Sequence, residues 1–381
     1  MKKPNRYRTG SAIAAIGTAV PKHRYQQRTI ADFMVRYFQY EKDIARKVSY
    51  IYDKSGIDYR HSVLPDFHQN GHLPVLFSSK ENNPLLSNRL GIYNQGALEL
   101  SAAAVADCMK NIKNKNRKKL SEITHLITVS CTGMSAPGLD IQLMQHLSLP
   151  KDINRTSVNF MGCYAGFHAM KMADAICKSN DDAIVLIVLA ELCSLHFQPG
   201  TDMENLVVNS LFADGAAAAL ITSGKKLKNT DQPALGFSGF HAEVIHEGSE
   251  FMTWQPDEKG FLMGLDALVP KLIEDNAAQL VKQALNKLSL KKSAVKHWAF
   301  HPGGRKILEA IQRSVNIEKE EFIHSYNVLR NFGNMSSPTI LFVLKMIWQA
   351  QKKWRDNDYI FAAGFGPGLT IETAMLQPVI A

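Results

Sequence analysis

The sequence predicts an α/β protein built from two duplicated halves, stacked as helix, sheet, helix, sheet and helix layers. Short, continuously apolar runs alternate with helical patterns along the chain. Strands apolar on both faces belong between helix layers rather than in a half-wetted sheet. The chain also repeats itself. Strand-like Thr124 to Val129 runs into Ser130, and strand-like Lys296 to Phe300 runs into His301, 171 positions later. Cys163 follows Gly162 and opens a helix, while Asn334 follows Gly333 and opens a helical run, again 171 positions on. A period that long marks a duplicated domain, since solenoid repeats span roughly 20–50 residues.

The elements follow in order. Ser11 to Ala19 reads as a first strand. Lys2, Lys3, Arg6 and Arg8 before it loosely imitate a secretion signal, but the apolar stretch is short and Pro21 with a basic segment follows. Leu64 to Asn94, rich in Pro, Asn and Ser, reads as a surface loop. Further strands are expected at Leu126 to Val129, Ile184 to Ala190, Ala216 to Thr222, Tyr359 to Ala363 and Thr370 to Leu376. Helices are expected at Gly96 to Lys110, Cys163 to Lys178, Pro270 to Leu288 and Ser336 to Gln351, with Pro270 suited to a first helical position. Ala165, Gly166, Ala169, Ala173 and Ala175 suit the second of these to close packing on all sides. The break near Lys225 to Pro233 divides an N-terminal half, 1–228, from a C-terminal half, 229–381.

Composition narrows the class. At 381 residues, 45% hydrophobic and 21% charged, the chain is an ordinary globular one with ample core. The net charge of +9 gathers at Lys110 to Lys119, Lys225 to Lys228 and Lys291-Lys292. These runs fall in expected turns without interleaved aromatics, so they read as solvated turns rather than a nucleic-acid surface. A positive field would still draw anionic substrates. The 5 scattered cysteines, with no CxxC pair, fit neither a disulfide framework nor a zinc site. The longest remaining apolar stretch, Ala183 to Ala190, is far short of a membrane span. A cytoplasmic protein with a working thiol is expected.

That thiol is Cys163, in Val158-Asn-Phe-Met-Gly-Cys-Tyr-Ala-Gly-Phe167. A helix N-terminus stabilises a thiolate, and a nearby imidazole can do so while shuttling the proton. His301 in His301-Pro-Gly-Gly304 and Asn334 in Phe332-Gly-Asn-Met-Ser-Ser-Pro338 complete a Cys-His-Asn set. Duplication would bring the turns of Cys163 and Asn334 together about a pseudo-two-fold axis. Asn334 also suits a helix N-cap. An α/β-hydrolase elbow needs glycines two before and two after its nucleophile, where Met161 and Ala165 stand here. A papain-like hydrolase would place its cysteine near the N-terminus in a Cys-Gly-Ser-Cys-Trp context, which is absent.

Five segments, in order, carry a resemblance: Gly162-Cys-Tyr-Ala-Gly166, Leu211-Phe-Ala-Asp-Gly-Ala216, His301-Pro-Gly-Gly304, Gly333-Asn-Met-Ser-Ser337 and Gly364-Phe-Gly-Pro-Gly-Leu-Thr370. The sequence resembles the type III polyketide synthases, the chalcone-synthase-like branch of the thiolase superfamily, along essentially its whole length. Pro302 and Pro367 favour that branch over the chain-initiating β-ketoacyl-carrier-protein synthases, the nearest enzymatic alternative. A non-catalytic acyl-CoA-binding protein is the alternative of another class.

The resemblance implies a thiolase-like fold and a homodimer without cofactor, using acyl-CoA and malonyl-CoA. Cys163 would hold the acyl group, with an oxyanion site at its helix start and in the Gly364 to Gly368 loop. His301 and Asn334 would drive malonyl decarboxylation. Phe212 matches a gate residue, and Met263 a second gate, with Phe261 its rival. Cys193 and His196 align with pocket positions, as does Gly368. Gly133, where aromatic-starter relatives are bulkier, would open a tunnel for a fatty acyl starter leading to a pyrone or resorcinol. Lys47 and Lys54 match CoA-phosphate lysines, but Tyr50 stands where the family has an arginine.

Overall fold

A computed structural model describes residues 10–68, 73–78, 83–112, 119–227, 233–351, 353–355 and 357–379. In chain order the strands are β1 (Ser11–Ala19), β2 (His23–Gln26), β3 (Tyr59–Ser62), β4 (His125–Ser130), β5 (Asn154–Asn159), β6 (Ile184–Leu192), β7 (Asp214–Ser223), β8 (Ala234–Val244), β9 (Met252–Asp257), β10 (Gly260–Leu265), β11 (Val295–Phe300), β12 (Tyr359–Gly366) and β13 (Thr370–Val379). The helices are α1 (Gln27–Tyr37), α2 (Lys42–Lys54), α3 (Leu86–Lys110), α4 (Leu139–His146), α5 (Ala165–Ser179), α6 (Met203–Leu211), α7 (Val269–Lys287), α8 (Arg305–Val315), α9 (Ile323–Phe332) and α10 (Thr339–Ala350).

Nine strands form one sheet in the order β11-β12-β13-β8-β1-β7-β6-β4-β5. Reading outward from the centre, each side begins with its first strand, β1 or β8. Each then takes its last strand, β7 or β13, and next the one before it, β6 or β12. The two sides meet at a short β1·β8 pairing around Ala12 and Ile13. The repeat in the sequence is therefore a repeat of topology, with the axis between β1 and β8.

Side-chain alternation builds the layers, because successive residues on a strand face opposite sides. On β6, Leu186, Val188 and Ala190 pack into a core with α3, while Val185, Ile187 and Leu189 pack into a central core with α5 and α10. On β12, Ile360 and Ala362 join that same central core, whereas Phe361, Ala363 and Phe365 face a third core with α7 and α8. Three cores separated by two sheet regions give helix, sheet, helix, sheet, helix. The middle layer is largely internal, which explains why α10 buries Thr339 through Leu344 in succession.

The expected strands appear with ends extended by a few residues. The basic-led stretch Ser11–Ala19 is the central strand β1. The expected loop from Leu64 to Asn94 is wrong at its end, because α3 starts at Leu86. The cause is Arg89, a buried cation that ties the first turn down by bonding the Pro84 carbonyl at 3.0 Å and the Asn83 side-chain oxygen at 2.7 Å. A polar anchor of this kind leaves no trace in hydrophobic periodicity. The basic runs are turns where described: Lys226 pairs with Asp182 at 3.1 Å, and Lys292 caps carbonyls at the end of α8. Residues 113–118 and 228 of those runs lie outside the described residues. No described helix is long and apolar enough to cross a membrane.

Candidate active site

The site begins with two strained turns. Phe160 at φ 57° and Gly162 at φ 77° swing the chain from β5 into a 3₁₀ turn, Gly162–Tyr164, that leads into α5. Gly162 is required twice over, since a Cβ there would also meet Pro367 Cδ at 2.2 Å. Cys163 thus sits one turn before α5 rather than within it. Across the pseudo-axis, Gly333 at φ 72° and Ser336 at φ 56° shape the turn that carries Asn334. α10 starts five residues beyond Asn334, so that residue is not a helix cap. Its backbone is instead bridged to the other half: Asn334 N–H donates to the Leu211 carbonyl at 2.9 Å, and Ala213 N–H donates to the Asn334 carbonyl at 2.8 Å.

These turns bring the polar set together. The Cys163 thiol contacts the Ser336 hydroxyl at 3.5 Å and lies within hydrogen-bonding reach of the Asn334 amide. Asn334 Oδ1 accepts from Ser336 N–H at 2.8 Å, and one of its two Nδ2 donors bonds the Gly303 carbonyl at 3.2 Å. That leaves a second donor for a ligand. His301, placed by the bond of its N–H to the Ala363 carbonyl at 2.8 Å, sits against Gly303. It is 1% exposed, and neither ring nitrogen has a partner among the described residues. The glycine loop closes in from the other side, with the Cβ direction of Gly366 pointing 3.2 Å from Cys163 N.

Burial governs the charges. It pushes the Cys163 thiol up to about 12, against the pull of the Ser336 and Asn334 donors, and pushes the His301 imidazole down to about 3. Burial thus disfavours the charged form of each group taken by itself.

Beneath them lies Glu191, fully buried and unassigned by sequence reasoning. Its carboxylate accepts from Cys131 N–H at 2.9 Å, the Thr132 hydroxyl at 2.8 Å and the Ser337 hydroxyl at 2.7 Å. Burial outweighs these donors and raises it to about 7.

A cavity of about 200 Å³ adjoins this centre, walled by Cys193, His196, Phe212, Trp254, Phe261 and Met263 among others. Both candidates for the second gate therefore face it. Phe261 is buried and stacks on His196 at 4.5 Å, while Met263 is half-buried. His196 donates from Nε2 to the Thr132 carbonyl at 2.8 Å and accepts Phe261 N–H at Nδ1 at 3.0 Å. Those bonds fix a neutral tautomer, and burial lowers the ring to about 3. His196 is a wall.

Gly133 departs from expectation. It does not line this cavity, and a Cβ on it would meet the Tyr93 ring at 2.1–2.4 Å. The space on that side is taken by an aromatic ring from α3, and Gly133 lines instead, with Tyr93, a separate cavity of about 140 Å³. Gly368, at φ 71°, turns the loop two residues beyond Gly366 and is likewise outside the cavity wall. Lys47, Tyr50 and Lys54 are exposed along α2, whose C-terminal end meets Arg305 at Gly56.

Comparisons with known proteins bear on the family and the fold. Residues 1–225 match the family profile described as the N-terminal domain of chalcone and stilbene synthases, and residues 241–380 match its C-terminal counterpart. A Streptomyces toyocaensis 3,5-dihydroxyphenylacetyl-CoA synthase is 29% identical over 371 residues, covering 96% of this chain and 89% of that protein. A Dictyostelium discoideum protein named "Probable polyketide synthase 1" is 29% identical over 97% of this chain, which spans only 12% of its length. Among solved structures, PKS-I of the brown alga Ectocarpus siliculosus superposes with a TM-score of 0.89 at 26% identity, covering 99% of this chain and 100% of the other. The C-terminal type III polyketide synthase domain of Steely1 from Dictyostelium gives 0.86 at 27%, covering 97% and 100%.

The raised Glu191 value sets a pH dependence. The unfolded carboxyl releases its proton near 4.5 and the folded one near 7, so stability falls as pH rises through that window. Relative to Glu191→Gln, which stays neutral, the wild type should lose roughly 3 kcal/mol between pH 4.5 and 8. Urea unfolding of both proteins at each pH measures this, and a wild-type-to-variant gap independent of pH would refute it.

Proposed function

The chain belongs to the chalcone and stilbene synthase family, the type III polyketide synthases, and from that premise we propose how its own residues perform the condensation. The observation that carries the proposal is the buried cluster of Cys163, Asn334 and Ser336 beside a His301 whose two nitrogens are unpartnered. Such a group is costly to bury unless a ligand completes it.

The sulfur of Cys163 attacks the acyl-CoA carbonyl, and CoA leaves as its thiol, taking the proton that His301 removed from Cys163. Backbone N–H groups at Gly162–Tyr164 and the Gly364 to Gly368 loop face the oxyanion. Malonyl-CoA then enters. His301 and the free Asn334 donor bond its thioester carbonyl, carbon dioxide leaves, and the electron pair stays as an enolate. The enolate carbon attacks the acyl carbonyl on Cys163, whose sulfur departs as thiolate, giving a β-ketoacyl-CoA lengthened by two carbons, and a proton from water restores the starting state of Cys163 and His301. These steps call on CoA thioesters alone. Lys47 and Lys54 serve the CoA phosphates, with Tyr50 supplying no charge between them.

For the starter we retain an aliphatic acyl-CoA, cyclised to a pyrone or resorcinol. Gly133 no longer supports it; Cys193 and Met263, facing the cavity with small or flexible apolar side chains, do. Incubation with radiolabelled malonyl-CoA and a panel of acyl-CoAs, with product masses read out, tests it. Preference for aromatic starters would reject it.

Cys163→Ala should abolish condensation yet leave some malonyl-CoA decarboxylation, while His301→Ala or Asn334→Ala should slow decarboxylation itself by about 10²–10³. Equal loss of both activities in folded Cys163→Ala would contradict this division of labour.

We further propose that the resting pair is thiolate and imidazolium, since the pair is net neutral and its sulfur has donors at Ser336 and Asn334. Inactivation by iodoacetamide should then titrate below the ordinary cysteine range and shift upward in His301→Gln. An identical pH profile in both proteins would argue against the pair.

Finally, the protein is proposed to be a homodimer joined at the edge strand β5, whose outer edge is unpaired among the described residues and whose residues are mostly exposed. Light scattering should give twice the chain mass at micromolar concentration. A stable monomer would reject it.

A further inference from the structure

Helix α2 presents an exposed ring between two lysines. Tyr50 is 66% exposed, and the other large exposed apolar side chains among the described residues are aliphatic. Lys47 stands three residues before Tyr50 and Lys54 four after it, which puts both beside it on one face of the helix. Both lysines are exposed, and neither has an ion pair or hydrogen bond among the described residues. The acids of the helix are already answered. Asp43 lies 3.5 Å from Arg46, and Asp53 lies 3.9 Å from Arg28. The flank of Tyr50 that carries Lys47 and Lys54 is therefore positive.

The opposite face ties α2 to the segments that carry the site. Tyr52 donates to the Asn209 carbonyl at 3.1 Å. Gln27 Nε2 donates both to the Ser55 hydroxyl at 3.0 Å and to the Ser210 carbonyl at 2.7 Å. Those carbonyls stand just before Phe212 in the chain. Beyond the end of α2, the Cβ direction of Gly56 points 3.2 Å from Arg305 Cδ. Arg305 opens α8, four residues after His301. The helix is thus held between the segment leading to Phe212 and the one leading from His301, with Tyr50 on its outer face.

We infer that Tyr50 is a stacking platform for the adenine of CoA, with Lys47 and Lys54 beside the ring to take its phosphates. This rests on the use of CoA thioesters proposed above. CoA carries its thioester at one end of a long arm, and at the other an adenine beside a diphosphate and a ribose phosphate. Only the thioester end has to reach Cys163. The nucleotide end is matched by a flat apolar surface with free cations next to it, and α2 offers both on one face. A base stacks on an aromatic ring whatever its hydrogen-bonding edge, so the platform needs no pocket around it. Tyr50 touches the nucleotide alone and takes no part in bond making.

Calorimetry of CoA binding by the wild type, Tyr50→Ala and Tyr50→Phe tests this, with 4′-phosphopantetheine, which lacks the adenosine, as the second probe. Tyr50 lies on the surface, so each variant should unfold as cooperatively as the wild type. Tyr50→Ala should raise the Kd for CoA by about 5- to 150-fold, the range that one stacked base contributes. Tyr50→Phe, which keeps the ring, should bind CoA nearly as the wild type does. Neither substitution should change binding of phosphopantetheine. CoA affinity unchanged in Tyr50→Ala overturns the inference. So does an equal loss for phosphopantetheine, or a loss in Tyr50→Phe as large as that in Tyr50→Ala. A wild type that binds CoA through Tyr50 but condenses no acyl-CoA with malonyl-CoA would instead sink the proposed function and leave the platform standing.

Discussion

The structure depends on a two-bond bridge between its halves. Asn334 and Phe212 pair as one isolated rung of parallel backbone, Asn334 N–H to the Leu211 carbonyl and Ala213 N–H to the Asn334 carbonyl. The rung fixes Asn334 of one half against Phe212 of the other. Chemistry divided between two halves needs such a tie, because a misplacement of about 1 Å can cost 10²-fold in rate. Under the rung sits Arg60, fully buried, donating to the carbonyls of Phe212 at 2.7 Å and Asn209 at 2.8 Å and to Gln27 at 2.8 Å. A planar guanidinium with several fixed donors can serve three separate acceptors where an ammonium could not hold the geometry. Gly333 is part of the same arrangement. A Cβ there would stand 3.0 Å from Arg60 and 3.1 Å from the Leu211 carbonyl, in addition to the strain of its φ of 72°.

Two buried carboxyls extend that rigidity inward. Asp214 accepts from Ser194 N–H and hydroxyl and from Val63 N–H, tying β7 to the turn after β6 and to the chain after β3. Glu191 ties the end of β4 to Ser337 of the other half. Burial raises Asp214 to about 6 and Glu191 to about 7, so both are held at an energetic cost. What the cost secures is position. Each carboxyl gathers donors from chain segments that apolar packing alone would let slide.

Much of this was legible in the sequence, for a definite physical reason. Strands buried on both faces must be continuously apolar, so β6, β7 and β12 announced themselves, and the glycines before Cys163 and Asn334 marked turns that only positive φ can make. What escaped was set by partners far along the chain. Arg89 starts α3 through the Pro84 carbonyl and reaches the Phe197 carbonyl far along the chain, and Glu191 looked like one more residue of an apolar strand. Gly133 shows the sharpest failure. A glycine in a sequence records a missing side chain, not an empty space, and here Tyr93, forty residues earlier, takes the room.

That failure bears on how such a protein can change its product. Cys163, His301 and Asn334 are each placed by backbone: a turn of defined φ, a bond to β12, a rung to α6 and β7. The walls of the adjoining cavity are placed by side chains such as Phe261, stacked on His196, and Met263, on the two-stranded hairpin of β9 and β10. Substitutions in the walls can therefore alter what fits without disturbing Cys163, His301 or Asn334. Volume alone does not predict the outcome, because close packing lets a neighbour fill any gap that a smaller residue opens. A wall residue controls the cavity only when no neighbour can replace it, and that can be read from the packing around it rather than from its own size.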